Sequence, residues 1–301
     1  MIKVAFDPKF VHPLPEGHRF PMDKYDLLPR QLLLEGTLEE SHFFSPAQLS
    51  AETAQRVHEE NYLQKLLQLE LSPREQRVTG FPHSHALVER ELCIMEGTRA
   101  CAEWAAVHRG VGMNIAGGTH HAFSGRGEGF CLLNDQAIAA RWLIDNSLAN
   151  KVLIIDLDVH QGNGTAEIFA NDPAVFTFSM HGEHNYPLHK EKSDLDVGLP
   201  DGISDKEYLY LLETHLDSIL KDFMPDFIFY QCGVDILSSD KLGRLAVNLN
   251  GCRERDVLVL ETVKQLEVPL VCTMGGGYSP DIRTIIEAHA NTFRMVQKIL
   301  N

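Results

Sequence analysis

Apolar residues in this chain follow two rhythms. Short, nearly unbroken runs rich in β-branched and aromatic residues alternate with longer stretches where apolar residues recur every three or four positions. The runs read as buried strands: IKVAF (2–6), MNIAG (113–117), VLIIDLD (152–158), VFTFSM (175–180), DFIFYQC (226–232) and VPLVCTM (268–274). Helical spacing covers 47–69 with Ser45-Pro46 as its start, and 86–108 ending at Gly110. It recurs over about 135–147, capped by Asn134, and over 205–222, 253–267 and 281–299. Strands separated by helical crossovers predict an α/β fold, a central parallel sheet with helices on both faces. No repeat, low-complexity tract or Pro/Gly/Ser-rich linker interrupts the pattern, so residues 1–301 are expected to form one domain. In open α/β sheets the ligand site lies at the carboxyl ends of the strands. Polar residues directly after the apolar runs are therefore the candidates.

Composition narrows the function classes. Of the 301 residues, 44% are hydrophobic and 23% charged, enough for a large core with an ordinary charged surface. No run of eighteen apolar residues predicts a membrane span. The start, MIKVAFDPKF, lacks the apolar core and cleavage site of a signal peptide, so the cytoplasm is the expected location. Cysteines at 93, 101, 131, 232, 252 and 272 form no CxxC pair, so reduced, buried thiols are expected rather than a disulfide framework or a cysteine zinc site. The formal net charge of -15 repels nucleic acid and anionic membranes. It would suit a cationic substrate, although solubility alone accounts for it.

Three segments carry chemistry. In IIDLDVHQGNG (154–164), Asp156, Asp158 and His160 are spaced by two at the end of a strand, so their side chains share one side. Burying that much negative charge without a cation is expensive, which points to a metal. QCGVDIL (231–237) supplies Asp235 just past another strand. Three protein ligands with an open position is the pattern of a catalytic zinc, while iron(II), cobalt or manganese suit the same donors. In AGGTHHAFSGRGEGFCLLND (116–135), His120 and His121 follow a Gly-Gly turn and read as proton-transfer groups. Gly125, Gly127 and Gly129 allow close backbone approach, and Phe130 reads as either an apolar slot or ordinary core. In TMGGGYSP (273–280), a pliable glycine loop presents Tyr278, whose phenol suits an oxyanion.

With these segments in hand, the chain resembles the zinc-dependent histone deacetylase family. The resemblance rests on VHPLPEGHRFPM (11–22), GGTHHAFSGRGEGFCLLND (117–135), DLDVHQGNG (156–164), FSMH (178–181), CGVDIL (232–237) and GGGY (275–278), in the family's order. The wording of DVHQGNG and of VDILSSDKLGRL (234–245) is most similar to the class IV branch and its bacterial relatives. The resemblance implies the arginase–deacetylase fold and hydrolysis of an N-acyl-lysine or similar amide. It implies zinc on Asp158, His160 and Asp235, His121 as general base and then acid, and His120 as its electrostatic partner oriented by Asp156. Tyr278 would polarise the carbonyl, Gly129, Phe130 and Gly276 would border the substrate channel, and Arg19 would reach its inner end. A structural potassium is implied on Asp156 and Ser179 with carbonyls of Asp158, His160 and Met180.

Two departures from the best-known class I members stand out. Asn163 replaces the aspartate that would partner His121, so His121 is expected to have a lower pKa than in those members. GFPHSHA (80–86) lacks the acidic rim residue that grips a peptide backbone, so a small acylated amine fits as well as an acylated lysine peptide; His83 and His85 read as surface residues. Two rival readings carry less weight. A dimanganese ureohydrolase on the same fold needs a second ligand set, and the motifs offer one good set. A binding module without turnover would have lost a catalytic group, and none is missing.

Overall fold

All six apolar runs contain a strand, and two edge strands join them. The computed structural model describes residues 1–301. The strands are β1 (Ile2–Ala5), β2 (Phe43–Phe44), β3 (Val111–Asn114), β4 (Val152–Asp156), β5 (Val175–Gly182), β6 (Leu195–Leu199), β7 (Phe227–Gln231) and β8 (Leu270–Thr273). They form one eight-stranded, wholly parallel sheet in the order β2-β1-β3-β8-β7-β4-β5-β6. The helices are α1 (Lys24–Leu34), α2 (Ala51–Ala54), α3 (Glu60–Leu67), α4 (Pro73–Thr79), α5 (His85–His108), α6 (Asp135–Asp145), α7 (Asn163–Phe169), α8 (Asp205–Asp222), α9 (Leu249–Leu266) and α10 (Ile282–Leu300).

The period of two along β4 divides the core. Val152 and Ile154 face a small, alanine-rich layer built with Cys101, Ala102 and Ala105 of α5 and Ala137 and Ala140 of α6. Leu153 and Ile155 face the larger core with Tyr208 and Leu212 of α8, Val259 and Leu260 of α9 and Phe293 of α10. All four are fully buried, each contributing roughly 1.5–3 kcal/mol relative to exposure. This three-layer α/β arrangement is the expected fold.

The differences from the sequence reading have physical causes. β3 begins two residues before its apolar run, because Val111 pairs with both Ile2 and Leu270. Residues 115–117 of that run already lie in the loop. β2 is two residues long, and β6 (LDVGL) leaves alternate residues exposed, so neither carries an apolar run. The expected helix over 47–69 is two short helices, α2 and α3. Between them Glu59 N–H donates to Ser124 O (2.8 Å), and His58 bonds Phe123 O (3.0 Å) and Asn134 N–H (3.0 Å). The chain leaves the helix to make those tertiary bonds. α1 escaped the pattern because Pro29 lies inside it. Asn134 caps α6 as expected, accepting from Ala137 N–H.

Candidate active site

Strands β3, β8, β7 and β4 are neighbours at the sheet centre, so the loops leaving their carboxyl ends converge. Asp158 and His160 follow β4, and Asp235 follows β7. All three are buried, and a potential ligand atom from each lies within 4.8 Å of the others. His160 Nδ1 stands 3.0 Å from Asp158 Oδ1 and 3.1 Å from Asp235 Oδ2. Backbone groups hold the far oxygens: Gly276 N–H donates to Asp158 Oδ2 (2.8 Å) and Val159 N–H to Asp235 Oδ1 (2.9 Å). Only glycine fits at 276, since a methyl there would meet Asp235 Oδ2 and stand 2.8 Å from Asp158 Oδ2. Asp235 Oδ2 has no hydrogen-bond donor, and the ion-pair partners in this group are histidines, not lysine or arginine. Burial, then Asp158, pushes the Asp235 carboxyl up to about 7. Two buried carboxylates, one with an orphaned oxygen, and one imidazole nitrogen fit a divalent cation.

The Gly117-Gly118 turn after β3 delivers His120 and His121, both buried, with ring centroids 4.1 Å apart. His120 Nδ1 bonds Asp156 Oδ2 (2.6 Å), and its Nε2 lies 4.0 Å from Asp158 Oδ1. Burial opposes the charged imidazolium, but Asp156 and Asp158 outweigh it and raise His120 to about 9. His121 Nδ1 bonds Asn163 Oδ1 (2.7 Å). Burial, followed by the neighbouring His120 and His160, holds His121 well below the usual histidine range; the Asn163 bond opposes this. Burial is thus the first cause of the low His121 pKa. Asp156 and Ser179 are register partners on β4 and β5, both buried, with Met180 beside them.

A channel leads from the surface to these groups. Its outer part, about 210 Å³, is lined by Arg19, Val78, Gly129, Phe130, Tyr186, Leu242 and Tyr278, with His121 and His160 at its floor. A smaller cavity of about 40 Å³ continues inward past Asp158 and Gly276 to Tyr25, Arg90 and Cys131. Phe130 has φ +67, a left-handed backbone that is costly for a bulky residue. Its N–H donates to Thr79 O (2.9 Å), and a methyl at Gly80 would stand 2.8 Å from its ring. A methyl at Gly129 would stand 2.7 Å from His121 Cδ2. The half-buried Tyr278 ring packs 6.1 Å from Phe130 and 6.3 Å from His160.

A match to the histone deacetylase domain spans residues 18–293. The chain belongs to the histone deacetylase family. It is therefore a hydrolase of the deacetylase type, acting on an amide bond. An uncharacterised protein of Picosynechococcus sp. (strain PCC 7002) is 44% identical over 98% of both chains. Histone deacetylase 2 of Arabidopsis thaliana is 31% identical over 89% of this chain and 72% of its own. The crystal structure of an HDAC homologue complexed with SAHA superposes with a TM-score of 0.85 at 24% identity, covering 99% of this chain and 84% of that one.

Within this deacetylase fold, Arg19 does not sit where the sequence put it. It is exposed at the outer mouth, its guanidinium 5.2 Å from the Phe130 ring, because it precedes rather than enters α1. Two basic groups lie further in: Arg90, which lines the inner cavity, and Lys24, on the first residue of α1. Lys24 is buried, donates from Nζ to Gly275 O (2.8 Å) and lies 5.2–5.9 Å from the rings of Phe20, Tyr25 and Tyr278. Burial lowers it to about 8. His85 is exposed, and His83 is half-buried and bonds Thr79 Oγ1 (3.0 Å). Sequence reasoning also passed over Glu128 and Tyr186. Glu128 stands inside the quoted glycine-rich segment, where its charge beside a histidine pair was the available signal; Tyr186 offered none.

Proposed function

We propose that this family member is a zinc-dependent deacylase that prefers short acyl groups, with acetyl first. The observation that carries the reading is the meeting of Asp158, His160 and Asp235 with His120, His121 and Tyr278 at one sheet edge. Asp158, His160 and Asp235 would hold the zinc, which when bound polarises the amide carbonyl and acidifies water. His121 carries its hydrogen on Nδ1, facing Asn163 Oδ1, so Nε2 is the atom that takes a proton from water and returns it to the leaving amine. Tyr278, kept protonated by burial and by Asp235 and Asp158, donates its hydroxyl to the carbonyl oxygen. His120, fixed by Asp156, supplies positive charge beside the attacked carbon. Asp156 opposite Ser179 in one buried corner supports the structural potassium with the carbonyls of Asp158, His160 and Met180.

The inner cavity sets acyl length in this reading. It leaves far less room than the outer channel, which favours a methyl group over a fatty chain. The leaving side is an acylated lysine peptide or a small acylated amine, since no acidic residue lines the outer channel wall. Six free, buried cysteines support a reducing, cytoplasmic setting, and no helix is long and apolar enough to cross a membrane. The similarity of 156–164 and 234–245 to class IV motifs supports placement near that branch.

The test is hydrolysis by zinc-reconstituted protein of lysine peptides acylated from acetyl to myristoyl, beside an acetylated polyamine. Turnover should be highest for acetyl and fall with chain length. Rising turnover with length would refute the short-acyl reading. Asp158→Ala should lose both zinc and activity; full activity with zinc retained would refute the ligand assignment.

A further inference from the structure

Glu128 occupies a position that the proposed chemistry does not use. Its side chain is only 13% exposed, and one oxygen collects two donors. Asn163 Nδ2 donates to Glu128 Oε1 (2.7 Å), and the Tyr186 hydroxyl donates to the same atom (2.8 Å). Asn163 in turn accepts from His121 through Oδ1 (2.7 Å). The Tyr186 ring stands edge-on to His121, with centroids 5.0 Å apart.

The direction of this chain of bonds follows from the groups themselves. An asparagine amide has one accepting end and one donating end, whereas a carboxylate can only accept. With Glu128 on one side, Asn163 must turn its NH₂ toward Glu128 and its carbonyl toward His121. His121 must then hold its hydrogen on Nδ1, and the Nε2 lone pair faces the channel. Without Glu128, the amide can rotate, present its NH₂ to Nδ1 and favour the opposite tautomer, which has no lone pair on Nε2 to take a proton from the channel.

We infer that Glu128 is a positioning residue that fixes the Asn163 amide, and through it the reactive tautomer of His121, while tethering Tyr186 in the channel wall. The functional importance of that tautomer rests on the deacylase reading. The tautomer itself does not, and can be read without turnover. Two variants separate the accepting atom from the charge. Glu128→Leu removes the acceptor; Glu128→Gln keeps a carbonyl oxygen that can accept both bonds.

The experiment is ¹⁵N NMR of histidine-labelled, zinc-reconstituted protein, with kcat and KM on an acetyl-lysine peptide. The parent and Glu128→Gln should both show the His121 Nδ1–H tautomer. Glu128→Leu should shift toward Nε2–H and lose kcat on the order of tenfold, with a smaller change in KM; the Gln variant should recover kcat to within about threefold. An unchanged tautomer in Glu128→Leu would overturn the inference even if that variant is less stable. So would a Gln variant that keeps the Nδ1–H tautomer and is still as impaired as the Leu variant. If the parent hydrolyses no substrate, the deacylase reading fails and the tautomer measurement still decides the role of Glu128.

Discussion

Tyr278 is useful only because its neighbours fix it. Its N–H donates to Asp240 Oδ2 (2.6 Å), and the adjacent Ser279 bonds Ser239 (2.8 Å), so the glycine loop ends on an anchored residue. Burial and the carboxylates of Asp235 and Asp158 keep the phenol protonated. Tyr278→Phe keeps the ring packing against Phe130 and His160 and removes one donor. It should lower kcat by about 10²–10³ with zinc content unchanged, as for other oxyanion donors. A loss of less than about threefold would take Tyr278 out of that role. At this scale the candidate site residues were legible, since residue type and spacing carry them. Lys24 and Glu128 were not. A lysine beside Tyr25 or a glutamate among glycines reads as surface until the fold buries it.

Among the elements, the break between α2 and α3 shows how tertiary bonding overrides helical spacing. His58 sits at that break, buried, bridging Phe123 O and Asn134 N–H. It thereby ties the segment after the histidine pair to the cap of α6. Burial lowers His58 to about 4, so the folded state holds it neutral. A histidine whose folded pKa is depressed contributes fully above its unfolded value near 6.5. That contribution is lost as the pH falls toward 4. It should amount to on the order of 3 kcal/mol over that window. Urea unfolding at pH 7 and pH 4.5 should show a smaller pH-dependent loss for His58→Gln than for the parent, although the variant starts less stable at pH 7. Equal losses would show that His58 does not carry this part of acid sensitivity.

At the scale of the whole molecule, the site couples several chain segments. Asp158 and Asp235 come from different strands, and Gly276 N–H closes on Asp158 from a third. A cation held there binds the folded chain and not the unfolded one, so it should stabilise the entire domain. At a free zinc concentration 100 times the Kd this amounts to about 2.7 kcal/mol. Chelation should therefore lower the Tm by several degrees, with recovery on adding zinc back. An unchanged Tm after measured zinc loss would mean that the metal is held at the surface and not by this buried group.

The sequence by itself determined the layer architecture, because unbroken apolar runs need cover on both faces and amphipathic helices between them supply it. It also picked out the candidate metal ligands and histidine pair, because ionisable residues directly after buried apolar runs are costly without a cation or a partner. It could not determine the strand order. β7 and β8 enter between β3 and β4 although they come much later in the chain, and no local pattern records that insertion. Only the tertiary structure therefore decided that Asp235 and Gly276 meet Asp158. It also placed Arg19 at the mouth with Lys24 further in, and brought Glu128 to Asn163 across 35 residues. Local periodicity reports which face a side chain takes; which segments share that face depends on long-range packing.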